Sequence, residues 1–458
     1  MKKAKKLMSF LCAAMLLGVT ACNGGGDDKP EYSLTTTTTI DDDIRNPVDV
    51  SALVTKDDTL KNPNLVYFIH YDIRIAGDIK PAVKLFEETY GGEINYQQVG
   101  WAEKNEKLLT LISTGNSPDL VDKESLAFPY YMSQNMYTDL GSYMEKYMNE
   151  EQWTDAYKNL IERFSWNGSK YYYPWTLNAL PYCLIYDADR FLSFGLDNPK
   201  ELYLCDKWDW NSFRQVMIDF MTKNPDAAGG VQCMVSHDIL VSTGLPLISI
   251  QNGKVINNLN TETIDRAANF LMDLRKQNLP VRGEGMWSNE PEPLATGKVA
   301  FIGVGQYMVA DFCANYPDQH FEFVPFPRDP LADKYYHNMT DFGYMVPSGS
   351  PNPEGAAAFI NIMRKIQVDP DIQDVLKKSI MTDKHYDEET YNYIKSFDNV
   401  DNYDLVLEGY WGFNSELTKI VENMINNIAF EHGDEQKGWT QLRAEFEGTI
   451  DSYLEAYK

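Results

Sequence analysis

An unusual density of aromatic residues marks positions 171–186, which read YYYPWTLNALPYCLIY. Six of these sixteen side chains are aromatic rings, and two more residues are prolines. Flat rings can bind a ligand by stacking, without covalent chemistry, if this segment crosses between two lobes and lines a cleft. The same composition also fits two adjacent strands that fill a core, and the segment alone leaves both interpretations open.

A second group of candidate residues follows three short apolar segments. Asp72 follows LVYFIHY, Trp101 follows EINYQQV, and the segment 122–124 (Asp-Lys-Glu) follows SPDLV. Helical patterns separate these segments at crossover length, which predicts a parallel, doubly wound sheet with helices on both faces. Ligands of such sheets bind outside the carboxyl ends of the strands. We therefore expect these polar and aromatic side chains to share one rim.

The motifs of several catalytic classes are missing from the sequence. It contains no nucleophile elbow, no HExxH and no metal-binding loop, and its six histidines are scattered. Carboxylate pairs perform glycoside hydrolysis, but an acidic chain is rich in Asp and Glu by composition alone. We expect no catalytic residue, no metal and no cofactor; a secreted glycoside hydrolase or polysaccharide lyase stays an alternative.

The amino terminus has the pattern of a secretory signal. A cationic MKKAKK precedes the apolar LMSFLCAAMLLGV, which is too short for a good transmembrane helix. The residues Val19-Thr20-Ala21-Cys22 resemble the lipobox of bacterial lipoproteins, which implies cleavage after residue 21 and lipidation of Cys22. Residues 22–62 are polar and include TTTTTIDDD, so we expect a flexible tether, in which VDVSALV could dock as an extra strand.

The charge of the chain excludes some partners. After removal of residues 1–21 it would carry 37 basic and 67 acidic side chains. Nucleic-acid binding needs clustered Lys and Arg, so we expect no nucleic-acid partner. A neutral or cationic ligand suits this charge. The cysteines Cys183, Cys205, Cys233 and Cys313 lack zinc spacing, and either one disulfide among them or free buried thiols would fit.

The middle and the end of the chain continue the α/β pattern. KYYYPW, PYCLIYD and KVAFIGV read as strands. DWNSFRQVMIDFMTKN reads as a helix capped by Asp209, and NPEGAAAFINIMRKI as one in which Asn352 caps and Pro353 follows. A chain of this length is too long for a single core, so two lobes are expected.

Four segments in order resemble the extracellular solute-binding proteins of ABC transporters, in the sugar-binding family that includes the maltodextrin-binding protein. They are LLTLISTGNSPDLVD, GSKYYYPWTLNALPYCLIYDADRFLSFGLDNP with the following KWDWNSF, LATGKVAFIGVGQYM, and FGYMVPSGSPNPEGAAAFINIM. The likeness runs from about Leu65 to the carboxyl terminus.

This resemblance implies a two-lobed, periplasmic-binding-protein-like fold of type II. Each lobe would be a mostly parallel sheet flanked by helices, with the ligand in the cleft between them. The implied crossings lie near Trp175–Leu180, Phe301–Gly305 and Asp341–Gly343. The first lobe would then comprise residues 63–176 and 306–340, and the second lobe residues 177–305 and 341–458.

The resemblance also implies where ligand contacts lie. Rings would stack on the apolar face of a sugar, and polar side chains would pair with its hydroxyls. Lys123 stands where the maltodextrin-binding protein has a stacking Trp, so a charged or differently shaped sugar is possible. The candidate ligand-binding residues are Trp101, Asp122, Lys123, Glu124, Trp175, His237, Asp238, Trp287, Tyr307 and Trp411.

The implied function is capture of a carbohydrate for an ABC importer. The partners would be the sugar, the transmembrane subunits of the permease, and the membrane through the lipid on Cys22. The protein would be a monomer on the extracellular face of the bacterial membrane, or on the periplasmic side if an outer membrane exists. A binding protein for a peptide, a polyamine or another non-sugar solute is the alternative.

Overall fold

A computed structural model of the protein describes residues 48–55, 58–70, 79–123, 127–178, 182–233, 235–251, 254–281, 290–338, 340–383, 387–397, 403–430 and 437–457. All of them belong to one of the two compact units of the chain, Thr37–Lys458.

The strands and helices alternate through this unit. The strands are β1 Leu65–Ile69, β2 Ile94–Gln98, β3 Leu120–Asp122, β4 Ser165–Trp166, β5 Ser169–Lys170, β6 Tyr173–Asn178, β7 Tyr182–Asp187, β8 Gly229–Gln232, β9 Ile248–Gln251, β10 Lys254–Asn257, β11 Pro280–Val281, β12 Val299–Gly305, β13 Phe321–Pro325, β14 Tyr335–Asn338, β15 Thr340–Met345 and β16 Tyr403–Val406. The α-helices are α1 Ile79–Tyr90, α2 Lys104–Ser113, α3 Tyr130–Ser133, α4 Gly141–Met144, α5 Asp155–Arg163, α6 Ala188–Phe194, α7 Pro199–Leu204, α8 Trp210–Lys223, α9 Val235–Val241, α10 Glu262–Lys276, α11 Glu292–Ala295, α12 Val309–Asn315, α13 Pro353–Val368, α14 Pro370–Asp383, α15 Glu388–Ser396, α16 Ser415–Phe430 and α17 Trp439–Leu454. Short 3-10 helices cover Ser51–Leu53, Trp101–Glu103, Glu145–Tyr147, Gln306–Met308, Gly409–Gly412 and Glu455–Tyr457.

Two five-stranded sheets form the centres of two lobes. The first has the order β2-β1-β3-β15-β6, and the second has the order β11-β8-β12-β7-β13. In the first sheet β1 runs parallel to β2 and β3, while β15 is antiparallel to β3 and β6. In the second sheet β8 is parallel to β11 and β12, while β7 is antiparallel to β12 and β13. The sheets are therefore mixed, where the sequence predicted mostly parallel ones.

The antiparallel strands have a simple cause. The chain leaves the first sheet at the end of β6 and starts β7 of the second sheet only four positions later, at Tyr182. A strand that arrives from the other lobe enters its new sheet at the edge where the parallel strands end, so it must run against them. β7 does so in the second sheet, and β15 does so in the first. The predicted crossing near 175–180 agrees with this passage.

The other predicted crossings need correction. β12 lies wholly in the second sheet, and β13 after it pairs with β7 of the same sheet, so the chain does not change lobe at Phe301–Gly305. It returns to the first sheet between β14 and β15, beside the predicted crossing at 341–343 but in the opposite direction. The strand pairing thus places 321–325 in the second lobe and 340–345 in the first, the reverse of the expected assignment. A glycine turn after a strand does not itself show whether the chain leaves its sheet.

Core packing shows where the chain passes from the first lobe to the second after β15. Helix α13 buries most of its length against α1 and the first sheet, and Ile372 and Leu376 of α14 join the same cluster. Helix α15 belongs to the second lobe, because the hydroxyl of Tyr393 donates to the carbonyl of Phe323 in β13 at 3.1 Å. The chain therefore changes lobe again between α14 and α15.

Helix caps follow the sequence pattern. Asp209 caps α8 in a capping box with Ser212, and the Asn352 side chain accepts from the amide of Gly355 at the start of α13. The four cysteines Cys183, Cys205, Cys233 and Cys313 are free thiols, so no disulfide joins them.

Residues 48–55 belong to the first lobe rather than to a flexible tether. Val48 and Val50 are buried in its core, and the segment forms a 3-10 turn instead of the strand that VDVSALV suggested. The ammonium of Lys365 in α13 donates to the carbonyl of Leu53 at 3.2 Å. Further along, the Asn352 amide donates to the carbonyls of Asn62 and Asn64 at 2.9 Å each. Apolar burial and these bonds hold the segment across α1 and α13.

Val50→Ala should lower the free energy of unfolding by about 2 kcal/mol, because it removes two methyl groups from a fully buried site. Denaturant unfolding measures the change. Asp49→Ala, at the exposed neighbouring position, is the matched control and should cost less than about 1 kcal/mol. Equal, small effects of both substitutions would contradict the docked segment.

Candidate functional site

The parallel strands of each sheet end at an edge that carries the candidate residues. In the first sheet β1 leads to His70, β2 leads to the 3-10 helix at Trp101, and β3 ends at Asp122. In the second sheet β8 precedes helix α9, which contains His237 and Asp238, and β12 leads to the 3-10 helix at Tyr307. The chain passes between the lobes from these same edges, so the two groups lie at the facing ends of the sheets.

Trp101 presents its ring to solvent on a polar support. Its side chain is 69% exposed, which is unusual for so large an apolar ring. The imidazole of His70 meets the Trp101 ring edge-on, with 4.6 Å between the ring centroids. The ammonium of Lys104, at the first residue of α2, lies 5.7 Å from the centre of the Trp101 ring. These contacts hold the ring while leaving much of its surface available.

Beneath Trp101 lies a compact polar group. Lys104 is only 1% exposed; its ammonium lies 3.3 Å from Nδ1 of His70 and 3.9 Å from a carboxylate oxygen of Asp122. The hydroxyl of Tyr67 donates to the other oxygen of Asp122 at 2.6 Å. Burial, and then the charge of Lys104, lower the pKa of His70 to about 4. The imidazole is therefore neutral near pH 7.

Lys123 makes a different contact from the one a stacking ring would make. Its ammonium lies over the rings of Phe164 and Tyr172, at 4.8 and 5.7 Å from their centres. Its backbone amide donates to the carbonyl of Gly343 at 3.2 Å. The cation therefore packs on aromatic faces of its own lobe. Glu124, the next predicted ligand residue, lies outside the described residues.

In the second lobe a ring stack joins two predicted residues. The imidazole of His237 lies nearly parallel to the Trp411 ring, with 4.5 Å between centroids and 23° between planes. His237 is buried and Trp411 is half-buried, so one face of the indole rests on the imidazole. Tyr307, on the 3-10 helix after β12, is 68% exposed and offers a further ring.

Three close approaches determine where Trp411 lies. The buried carboxylate of Glu408 accepts from the amides of Leu247 and Ile248, at 2.7 and 3.1 Å. A Cβ on Gly409 would come within 2.5 Å of the Ile248 carbonyl oxygen, and one on Gly412 within 1.7 Å of the Phe128 carbonyl oxygen. Glycine is therefore required on both sides of the Tyr410-Trp411 pair. Phe128 follows β3, so this turn touches the first lobe.

The polar atoms around this stack are short of partners. Both ring nitrogens of His237, one carboxylate oxygen of Asp238 and the hydroxyl of Tyr410 are buried, with no hydrogen-bond partner in the described part of the chain. His237 Nδ1 and Asp238 Oδ2 are 3.9 Å apart, too far for a hydrogen bond. Burial raises the pKa of Asp238 and raises that of Glu408 to about 7.

One predicted ligand residue is wrong and another is not described. Trp175 is only 4% exposed and stacks on Tyr344 within the core of the first lobe, at 6.3 Å between centroids, so its ring does not reach a ligand. Its carbonyl accepts from the buried Arg364 at 2.8 Å. Trp287 lies outside the described residues. Asp119, just before β3, accepts from the Val66 amide at 2.8 Å.

The structure adds residues that the sequence reasoning missed. His70, Lys104, Glu408 and Tyr410 all contact predicted site residues or hold them in place. Two signals could have found them: His70 directly follows β1, and Tyr410 is adjacent to Trp411 between two glycines. Lys104 gave no such signal, because a lysine at the start of an amphipathic helix is ordinarily solvated.

The chemistry available at these edges is that of binding. Exposed rings stand beside carboxylates, amines and hydroxyls, and in the described residues no three His, Cys, Asp or Glu side chains gather closely enough to hold a metal ion. Among the same residues no helix has both the length and the apolar content to cross a membrane.

Comparison with known proteins defines the class. Residues 75–365 match the family of bacterial extracellular solute-binding proteins. The chain therefore belongs to this family, and its fold is that of the two-lobed, type II periplasmic sugar-binding proteins. The family and its solved relatives are binding proteins rather than enzymes. A comparison with curated protein sequences gives no match.

Three solved structures illustrate the likeness. The sugar-binding protein MalE from Xanthomonas citri has a TM-score of 0.65 at 14% identity, over 86% of this chain and 97% of that one. The GacH receptor of Streptomyces glaucescens, solved without ligand and with acarbose, has 0.61 at 16%, over 86% and 99%. The galacto-N-biose/lacto-N-biose I-binding protein of an ABC transporter from Bifidobacterium longum has 0.61 at 13%, over 86% and 97%.

Glu408→Gln should change how stability depends on pH. The pKa of Glu408 is about 7 in the folded protein and near 4.5 when unfolded, so the protonated carboxyl stabilises the fold at low pH. That contribution, roughly 3 kcal/mol, is lost as the pH rises through 7. Glutamine cannot titrate, so denaturant unfolding of the variant should show a smaller loss of stability between pH 5 and pH 8.

Glu262→Gln, at an exposed position on α10, is the control and should leave the pH dependence unchanged. A Glu408→Gln variant with the same loss of stability as the unsubstituted protein would show that Glu408 does not titrate in this window.

Proposed function

We propose that this protein captures a carbohydrate, an oligosaccharide, for an ABC importer, by closing its two lobes on the sugar without chemical change. The observation that carries the proposal is the exposed Trp101 ring above Lys104, Asp122 and His70 at the end of the first sheet. An apolar ring and hydrogen-bonding groups are therefore neighbours: the Lys104 ammonium lies 5.7 Å from the centre of the Trp101 ring.

A pyranose matches that combination. Its C–H face is apolar and removes ring area from water when it stacks, which is worth about 25 cal/mol per Å². Its rim carries hydroxyls that both donate and accept. The Asp122 carboxylate accepts, and the neutral imidazole of His70, whose Nδ1 faces the buried Lys104 ammonium, carries its N–H donor on Nε2.

The second lobe would supply the opposite wall. Tyr307 and Trp411 offer rings there, and the Gly409–Gly412 turn that carries Trp411 already touches Phe128 of the first lobe. A ligand held between Trp101 and these rings favours the conformation in which both lobes contact it. The ligand can shift the equilibrium between open and closed forms only by the difference between its affinities for the two forms.

Relatives support a sugar as the ligand class. The GacH receptor was solved with acarbose, and a substrate-binding protein from Listeria monocytogenes was solved with cycloalternan. Because these chains share 16% and 15% identity with this one, their ligands do not transfer to it individually. The alternatives are a non-sugar solute such as a peptide or polyamine, favoured by the acidic groups near Trp411, and a carbohydrate-active enzyme.

Cys22 would attach the protein to the membrane. The lipobox-like Val19–Cys22 stands 26 residues before Val48, where the described chain begins. A flexible segment of this length has a root-mean-square span of roughly 28 Å. With this anchor, the proposed protein would act as a monomeric receptor beside the transmembrane subunits of a permease, on the outer face of the cell membrane.

Trp101→Ala and Trp411→Ala should each weaken binding of the cognate oligosaccharide by roughly 1–3 kcal/mol, because each removes a stacking surface. Isothermal titration calorimetry, after screening of a glycan panel, measures this. The double variant should lose a different amount from the sum of the two, because lobe closure couples the rings. Small-angle scattering should show a smaller radius with the sugar than without it.

Leu192→Ala, which removes an exposed apolar side chain on α6, is the control and should leave affinity unchanged. Tight glycan binding that survives both Trp substitutions would refute the assigned site. Cleavage or elimination of the bound glycan with turnover would replace the transport proposal with the enzyme alternative.

Cys22→Ala should release the protein from the membrane, since the thiol is the acceptor of the diacylglycerol. Fractionation of cells and mass spectrometry of the amino terminus measure this. Cys205→Ala, at an exposed thiol in the second lobe, is the control and should remain membrane-bound. Undiminished membrane attachment of Cys22→Ala would sink the lipoprotein proposal.

A further inference from the structure

The ring of Tyr307 lies close against the backbone of Gly305. A Cβ placed on Gly305 would come within 2.4 Å of Cε1, 2.9 Å of Cδ1 and 3.1 Å of Cζ of Tyr307. Apart from the chain neighbours of Gly305, these three ring atoms are the nearest to that position. A side chain at residue 305 would therefore occupy the place of the ring, and the ring can lie there because glycine has none.

The main chain that carries this ring is fixed on both sides. β12 is buried along its whole length, and its last residue, Gly305, pairs with Tyr182 of β7. After the 3-10 helix, Val309 and Phe312 of α12 are each 2% exposed and belong to the buried core. Tyr307 can therefore change its place mainly by rotation about its two side-chain bonds, and the approach to Gly305 decides which rotations are allowed.

The Tyr307 ring stands where the chain passes between the lobes. Tyr182, the partner of Gly305, is the first residue of β7, which begins four positions after β6 leaves the first sheet. Tyr307 is 68% exposed there, so most of its side chain remains open although the ring rests on the strand. A ring in this position offers its open surface to a ligand between the lobes.

Resting on the sugar-binding function proposed above, we infer that Gly305 is a positioning residue for sugar binding: by lacking a side chain, it lets the Tyr307 ring lie across the end of β12, in the orientation in which the ring stacks on the ligand. Gly305 itself would not touch the sugar. Its contribution is pre-organisation, because a ring that already has its binding orientation loses less conformational freedom when the ligand stacks on it.

The backbone shape of residue 305 does not itself require glycine. Its φ of -62° and ψ of 134° lie in the extended region that all L-residues adopt. An alanine at this position would keep the strand end unstrained, and the steric conflict would fall on the exposed side chain of Tyr307, which can rotate away. Gly305→Ala should therefore move the ring and leave the fold intact.

The test is a double-mutant cycle on these two residues. Calorimetry first screens cello-, malto-, manno- and xylo-oligosaccharides, and the tightest ligand of this panel is used for all variants. Tyr307→Ala should weaken its binding about tenfold, because the stacking ring is lost. Gly305→Ala should weaken it roughly threefold to tenfold, because the displaced ring must be ordered anew or loses its contact. In the Tyr307→Ala background, Gly305→Ala should cause no further loss, because the side chain that it displaces is gone.

Gly448→Ala is the matched control. It adds the same methyl group at an exposed position of α17, where a Cβ would meet nothing within 4 Å, and it should leave affinity unchanged. A measurement without ligand uses 3-fluorotyrosine incorporated at position 307 alone. Its fluorine NMR signal should shift in Gly305→Ala and stay in place in Gly448→Ala. Thermal unfolding of Gly305→Ala should match that of the unsubstituted protein.

The outcomes separate this inference from the function on which it rests. If no glycan of the panel binds at millimolar concentration, the sugar-binding function fails and the inference fails with it. If a glycan binds but Tyr307→Ala or Gly305→Ala leaves its affinity unchanged, the inference is overturned while sugar capture stands. It is equally overturned if Gly305→Ala weakens binding by the same factor with and without the Tyr307 ring, if the fluorine signal does not move, or if Gly305→Ala unfolds the protein.

Discussion

The organisation of this protein depends on how the chain passes between its two sheets. β6 leaves the first sheet at the edge where β1, β2 and β3 end, and β7 begins in the second sheet only four residues later. So short a connection forces the corresponding edges of the two sheets to face one another. Because every arriving strand enters at that edge, β7 and β15 run against their parallel neighbours. The mixed sheets and the placement of His70, Trp101, His237 and Tyr307 at facing edges follow from this single constraint.

The two lobes contribute different chemistry to that region. The first offers an open ring on a paired polar group, in which Lys104 is satisfied by His70 and Asp122. In the second, the Trp411 ring stacks on His237. Burial raises the pKa of the nearby carboxyls of Asp238 and Glu408. In the part of the chain that the structure describes, His237, Asp238 and Tyr410 of the second lobe have buried polar atoms without a hydrogen-bond partner.

Long-range contacts fix β6 within the first lobe. The segment at Val48–Leu53 and helix α13 tie the beginning of the described chain to the first lobe, and Arg364 of α13 holds β6 through the carbonyl of Trp175. The strand is thus fixed up to the point where it leaves the sheet. The turn at Gly409–Gly412, by contrast, is located by contacts to both lobes.

The sequence by itself determined the local structure and the class of fold. Apolar periodicity and caps placed β1 to β3, α8 and α13, since these signals depend on neighbours in the chain. The rim with Trp101 and Asp122 followed from the rule for parallel strands. The tertiary structure decided what depends on distant partners. Trp175 is buried because Tyr344 and Arg364, both far along the chain, pack on it. β13 stays in the second sheet because it pairs with β7 of that sheet. Lys104 is buried by residues of other strands, and the role of Glu408 depends on amides at the start of β9. Periodicity reports which face of an element is apolar, and only the assembled chain decides what that face meets.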